Sequence, residues 1–457
     1  MFIHSNGGLA RRAFLQRAGQ LGVAGIATPW ALNMAAMGEA AAFSANDYKA
    51  LVCVFLYGAN DHANTVVPYD AANHARYAAI RTGIAIPQAS LAATLLNPTT
   101  ALSDGMQLAL APELAKLMPI FDAGKLAIQL NVGPLIQPTT LAQYKAKSVP
   151  LPPKLFSHND QQSVWQSSSP EGAVLGWGGK MGDLAMANNS NSVFSCISVT
   201  GNAVYLAGQT AVQYQVSTSG AVPVNGVKNG IYGSAACGTA LNALITQSSS
   251  QILENEYARV TSRAIASEVQ VTSALAGVPA FSTSFTAGNS LARQLQTVAK
   301  LIAARNTLGT KRQVFMVSLG GFDLHDNLPT QHPGLLTNLA DALSAFYNAT
   351  VELGISDKVT AFTASDFGRT LSSNGDGSDH GWGSHHFVLG GGRQFYGTAP
   401  AIAVNGPDDV GQGRLLPSTS VDQFAATLAS WFGVSGTDLN LVVPNLANYS
   451  NKNIGFV

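Results

Sequence analysis

Charge is scarce in this chain: Asp, Glu, Lys and Arg make up only 11% of its 457 residues. The 25 acidic and 25 basic side chains cancel. No global field therefore draws the protein to nucleic acid or to an anionic membrane, and no basic cluster supplies a local one. Cysteine is nearly absent, with three residues, and the odd number argues against a disulfide framework. Cys53 sits in an apolar stretch and reads as a buried free thiol, whereas Cys196 and Cys237 are candidates to pair in an oxidising compartment. No apolar run reaches the ~20 residues that span a bilayer. Histidine is also rare, at nine residues, yet four of them (His325, His380, His385 and His386) fall in two short motifs.

The N-terminus speaks to compartment. Arg11-Arg12-Ala13-Phe14-Leu15 has the form of a twin-arginine signal, followed by an uncharged apolar stretch from Leu21 to Ala31. Ala40-Ala41-Ala42 then offers a small-residue cleavage site before Phe43. The competing reading is an amphipathic helix of the fold itself. The signal reading assigns residues 1–42 to a leader recognised by the twin-arginine export machinery. It places the mature chain, 43–457, in the periplasm or outside the cell. That machinery carries folded cargo, which suits a protein that takes up a metal before crossing.

Periodicity predicts alternating strands and helices. Ala50–Tyr57, Lys125–Leu130, Gln313–Leu319, Lys358–Thr363 and His386–Leu389 are apolar runs of strand length. Pro112–Asp122, Gly334–Leu353 and Thr419–Phe432 have helical spacing. The alternation implies an α/β fold with a mostly parallel sheet and helices on both faces. Residues 190–288 are rich in Ser, Thr, Gly, Asn and Val and contain no histidine. They read as an insertion or cap, with β-like pieces at Val193–Val199 and Ala203–Leu206 and a helix from about Ser249 to Ala274.

Ligands in such sheets bind beyond the carboxyl ends of the strands. Asp61, Asp323 with His325, and Asp366 each follow an apolar strand, so three distant segments converge on one rim. Imidazole and carboxylate together suit zinc and other divalent first-row ions. Asp323 and His325 alternate along the chain, so both can point into one site. Each candidate has a plainer role. Asp61 is either a ligand or the cap of the turn after the first strand; His62 beside it reads as a local supporting or surface group. Asp366 is either a ligand or the ion-pair partner of Arg369, whose planar fork also suits an anionic substrate. Ser157, three residues before Asp160, has the form of a helix N-cap. His385 and His386 are adjacent, so only one of them can face the site from a strand.

These motifs resemble an exported bacterial family catalogued as domain of unknown function 1501, grouped with the alkaline phosphatase and sulfatase superfamily. The pieces that carry the resemblance are the twin-arginine leader, Gly58–Tyr69, Phe156–Gln162, Gly320–Asn327, Thr363–Thr370, Asp379-His380, Gly390–Gly392 and Gly413–Asp422. The resemblance implies an alkaline-phosphatase-like domain with two adjacent metal sites flanking a nucleophile. It assigns Asp61 and Asp366 to one ion, and Asp323, His325 and His380 to the other. Ser157 and Arg369 are then the catalytic candidates, with His158, Asp379, His385 and His386 as supporting residues or alternative ligands. Zinc is the foremost ion, with Mn, Mg or Ca as alternatives, and the substrate class is a small anionic phosphate or sulfate ester. A non-catalytic, metal-stabilised envelope protein on the same fold is the other outcome. Two departures from the superfamily pattern are visible: Asp366 is followed by Phe367 rather than histidine, and Asp323 and His325 are unusually close. No Cys-x-Pro-x-Arg sequence is present, so a formylglycine mechanism has no support.

Overall fold

The computed structural model describes residues 45–457. Arg11, Arg12 and the proposed cleavage site therefore lie outside the described residues. Among those described, no helix is long and apolar enough to cross a membrane.

The chain begins with β1 (Lys49–Leu56), buried from Ala50 onward, and β2 (Leu126–Gly133) follows. Helices α1 (His158–Ser167) and α2 (Trp177–Ala185) lead into the short strands β3 (Cys196–Ser198), β4 (Tyr214–Ser217) and β5 (Gly220–Ala221). Four helices follow, interrupted by a strand: α3 (Ala235–Thr246), α4 (Ile252–Ala276), α5 (Ser290–Ala303), then β6 (Arg312–Leu319) and α6 (Leu328–Glu352). The last third holds β7 (Val359–Ser365), β8 (Arg369–Ser373), β9 (Ser378–His380), β10 (Ser384–Leu389), β11 (Phe395–Tyr396), β12 (Thr419–Ser420) and α7 (Val421–Phe432).

One sheet organises the molecule, in the order β11-β2-β10-β7-β1-β6-β3-β4-β5, with β12 also paired to β2. Only β10 and β5 run against their neighbours; the other pairings are parallel. The mostly parallel α/β sheet predicted from the alternation is thus the observed architecture. The strict alternation of a strand divides β1 between two cores. Val52, Val54 and Leu56 pack with Leu295 and Val298 of α5 and Leu339 and Phe346 of α6. Leu51, Cys53 and Phe55 pack on the opposite face with Trp177 and Met181 of α2 and Phe424 and Leu428 of α7. Each fully buried large side chain contributes roughly 1.5–3 kcal/mol, which keeps the strand ends at the rim fixed.

Several elements differ from expectation. Pro112–Leu117 is a 3₁₀ turn that runs into a short α-helix, Met118–Asp122. Pro119 lacks the N–H that a continuous helix needs there. Val204–Leu206 is also a 3₁₀ turn rather than a strand. Residues 190–288 do not form one insertion: β3 pairs with β6, Cys196 opposite Val314, so their first part widens the central sheet. Cys196 is buried in β3 and Cys237 is exposed on α3, and both are free thiols, as is buried Cys53. The pairing of Cys196 with Cys237 is therefore not formed.

Gly58, just past β1, shows how tightly the rim is built. Its φ is +106°, and a Cβ there would lie 2.5 Å from the Asp323 backbone nitrogen. A side chain would push apart the two strand ends that carry the site. Gly58→Ala is expected to lower stability by about 2 kcal/mol or more. Urea denaturation checks this, and an unchanged midpoint would contradict the packing described.

Candidate metal centre

Three parallel strands deliver the site. β7 ends one residue before Asp366, β6 ends shortly before Asp323 and His325, and β1 ends at the turn containing Gly58. The β8–β9 hairpin adds Arg369 and His380, which face each other across its ladder. His158 opens α1. The loop before it holds Lys154 at φ +43° and Phe156 at φ +71°. Non-glycine residues reach that region only at a cost of about 1–2 kcal/mol each, and the loop thereby offers the Phe156 carbonyl to His380.

Imidazole nitrogens converge on one carboxylate here. His158 Nε2 lies 3.1 Å from His380 Nε2 and 3.4 Å from Asp323 Oδ2. His325 Nε2 lies 2.9 Å from His380 Nε2 and 3.1 Å from Asp323 Oδ1, and His380 Nε2 is 3.3 Å from that oxygen. His158, Asp323 and His380 form a group able to share one ion. Separations near 3.3 Å are those of donors about 2.0 Å from a common tetrahedral centre.

The tautomers follow from the opposite side of each ring. His158 Nδ1 is 2.5 Å from Asp366 Oδ2, His325 Nδ1 is 3.1 Å from Asp379 Oδ1, and His380 Nδ1 is 2.8 Å from the Phe156 carbonyl. Each of these acceptors requires a proton on Nδ1, which leaves the Nε2 lone pairs turned toward one another and toward Asp323. Lone pairs and a carboxylate repel unless a cation or protons lie between them. The hydrogen bond to Asp366 raises the His158 pKa, whereas burial lowers that of His380. Burial would raise Asp323, but its hydrogen bond from Arg369 and the charge of that group outweigh this and lower it.

The ligands expected from sequence are partly redistributed. Asp366 is fully buried, and its carboxylate accepts from His158, from Gln162 Nε2 at 2.9 Å and from the Gly58 N–H at 3.3 Å. It orients His158 instead of joining the donor group or pairing with Arg369. Asp61 is also outside the group. Its carboxylate takes Arg81 at 2.5 Å, Ser378 Oγ at 2.6 Å and the Asn64 N–H at 3.0 Å, the last as cap of a 3₁₀ turn. The two-ion assignment of Asp61 with Asp366 thus has no geometry to support it. Arg369 is fully buried and donates to Asp323 Oδ1 at 2.7 Å, to the Gly58 carbonyl and to Ser378. It positions Asp323, and each of its three guanidinium nitrogens already donates to a protein acceptor.

His385 and His386 do not reach the group. His385 Nδ1 accepts the Asn131 N–H at 3.0 Å, which puts its single proton on Nε2. Burial drives its pKa well down and keeps it neutral. His386 packs against Trp165 with ring centroids 4.8 Å apart, and His62 lies edge-on to His385. Ser157 makes no capping bond to the α1 backbone; its hydroxyl donates to Asp160 Oδ2 at 2.9 Å. Gln162 and the Phe156 carbonyl are the participants that sequence reasoning misses. His158 and Gln162 stand at i and i+4, one helical face, and that spacing was the available signal.

The buried Asp61–Arg81 pair has a measurable consequence. Burial alone would raise the Asp61 pKa, but Arg81 and further partners outweigh it and hold the carboxyl far below its usual range. Its contribution to stability is therefore full above the unfolded value of about 3.9 and is lost as pH falls toward the folded one. Asp61→Asn is expected to cost about 3 kcal/mol or more at neutral pH. The difference from wild type should shrink as pH falls below about 4. Thermal unfolding across pH checks both; a pH-independent difference would contradict the pairing.

No curated protein matches the chain. Among solved structures, it is similar to the lipoteichoic acid synthase LtaP from Listeria monocytogenes, with 8% identity and a TM-score of 0.33, over 92% of this chain and 79% of that one. A protein of glycosaminoglycan metabolism from Bacteroides thetaiotaomicron gives 9% and 0.34, over 90% and 77%. A mutant of the alkaline phosphatase PafA gives 13% and 0.28, over 72% and 64%. These scores are too low to carry an activity across. The family model described as "Protein of unknown function (DUF1501)" matches residues 48–442, and the chain belongs to that family.

Proposed function

We propose that this protein is an exported, metal-dependent hydrolase of phosphate or sulfate esters. One divalent ion would be held by His158, Asp323 and His380, with His325 beside them. The observation that carries this reading is the pinning of all three imidazoles at Nδ1, which leaves their Nε2 lone pairs converging on a carboxylate. Neutral imidazole with one carboxylate favours zinc; Mg and Ca prefer oxygen donors throughout. When bound, the ion supplies Lewis-acid stabilisation of charge on the ester oxygens.

The protein's own groups do the rest. Asp366 and the Phe156 carbonyl keep the Nδ1 protons of His158 and His380 in place. Arg369 holds Asp323 at the centre of the group. Ser157, at the start of α1 beside His158, is the nucleophile in this reading. Its proton passes to Asp160 Oδ2 as Oγ bonds to phosphorus or sulfur, and the ester oxygen departs; water then releases the product from Ser157. Export by the twin-arginine machinery, read from Arg11 and Arg12, is part of the same proposal.

Purified mature protein is expected to bind about one equivalent of zinc, and zinc should raise its melting temperature because binding favours the native state. Asp323→Asn and His158→Gln should each weaken zinc binding by about tenfold or more, with His74→Gln as the unaffected control. Zinc-loaded protein should hydrolyse an activated aryl phosphate or sulfate, and Ser157→Ala should abolish turnover while retaining the metal. Full zinc occupancy without turnover on either ester would leave the non-catalytic envelope protein as the reading. Failure to bind any divalent ion would remove both.

A further inference from the structure

The Gly413–Asp422 segment has no part in the donor group, yet it delivers a cation beside it. Gly413 has φ +75°, and a Cβ there would lie 2.7 Å from the Ser372 nitrogen. Its carbonyl accepts the Leu371 N–H at 2.8 Å, so the segment lies against β8, the strand that starts with Arg369. The next residue, Arg414, donates from Nε to the backbone carbonyl of His380 at 2.9 Å. Its guanidinium carbon stands 4.4 Å from the centre of the Phe156 ring. Phe156 is the residue whose carbonyl fixes His380 Nδ1. Arg414 thus grips both the ligand histidine and the strained loop that orients it.

The guanidinium has little else to do. Among the described residues no carboxylate pairs with Arg414 and no protein acceptor meets its two Nη groups, whereas every guanidinium nitrogen of Arg369 already donates to Asp323, Gly58 or Ser378. Lys154 lies in the loop with Phe156, but it is largely exposed and sits 3.6 Å from Asp160. A guanidinium held at Nε and stacked on an aromatic face is pre-organised, with two parallel N–H groups left for a planar pair of oxygens. A partly buried cation of this kind, with no counter-charge among the described residues, is an unusual thing to keep beside such a donor group.

We infer that Arg414, and not Arg369, is the residue that recognises the anionic group of the substrate, a tetrahedral oxyanion of the phosphate or sulfate class. This rests on the hydrolase reading for the identity of the substrate, but oxyanion binding can be measured without turnover. Zinc-loaded mature protein is titrated calorimetrically with inorganic phosphate and, separately, with inorganic sulfate. Arg414→Gln is expected to weaken binding of the preferred anion by about ten- to a hundredfold, the loss of a charge-assisted contact. Because Arg414 also holds the His380 carbonyl, each variant is titrated with zinc in excess and compared at matched zinc occupancy. Arg414→Lys keeps the charge but not the fork, so it should recover only part of the affinity. Arg369→Gln should instead lose zinc.

Wild-type affinity in Arg414→Gln with zinc retained would overturn the inference, as would failure of the wild type to bind either anion. Should Arg414→Gln lose zinc or fail to fold, Arg414→Lys decides: retained zinc with several-fold weaker anion binding supports the assignment, and unchanged binding overturns it. The two readings fail separately. Loss of anion binding in the variant, with no hydrolysis by wild type, supports Arg414 and removes the hydrolase. Hydrolysis by wild type with undiminished anion binding in Arg414→Gln does the reverse.

Discussion

The contact between Asp366 and His158 ties the site to the sheet. Asp366 follows β7 directly and is fully buried, so its carboxylate must find donors within the protein. It finds them on two other elements: the Gly58 N–H after β1, and His158 with Gln162 on α1. One carboxylate therefore locks together two strand ends and the start of a helix. Because the proton of the imidazole is held at Nδ1, the Nε2 lone pair is aimed outward at Asp323 and His380. Without that contact His158 would have two tautomers and no fixed direction.

A second buried carboxylate solves a different problem. Asp61 and Arg81 are both removed from water, and their attraction alone would barely offset the desolvation of two charges. Added hydrogen bonds from Ser378 and Asn64 complete the set of donors. Arg81 also donates to the Thr370 and Leu371 carbonyls, which anchors β8 from below. Asp61 thus supports the hairpin that presents Arg369 and His380, and its influence on the donor group runs through backbone position.

The two arginines near the group divide the labour that one was expected to perform. Arg369 faces inward from β8 and is consumed by Asp323 and by backbone carbonyls. Arg414 comes from a later segment, is only half-buried, and among the described residues donates from Nε only. The difference is one of donor supply: a guanidinium whose three nitrogens all donate within the protein can position a carboxylate, and one with both Nη groups unclaimed among the described residues can meet an oxyanion.

Much of this was legible in the chain itself. Apolar runs of strand length alternating with helical spacing predict the parallel sheet, because a strand buried on both faces must be apolar throughout. The position of Asp323, His325 and Asp366 just beyond such runs predicts one shared rim. What sequence could not separate was a ligand from its support. Asp61, Asp366, Arg369, His158 and His385 are all chemically fit for the site, and their roles depend on which neighbours claim their polar atoms first. Arg81 takes Asp61, the Asn131 N–H takes His385 Nδ1, and His158 turns Asp366 into an orienting group. Those partners lie 20, 254 and 208 residues away in the chain. Residue type determined which groups were capable of holding a cation; only the tertiary structure decided which lone pairs were left to do so, because a polar atom already claimed by a neighbour in the fold is not available to an ion.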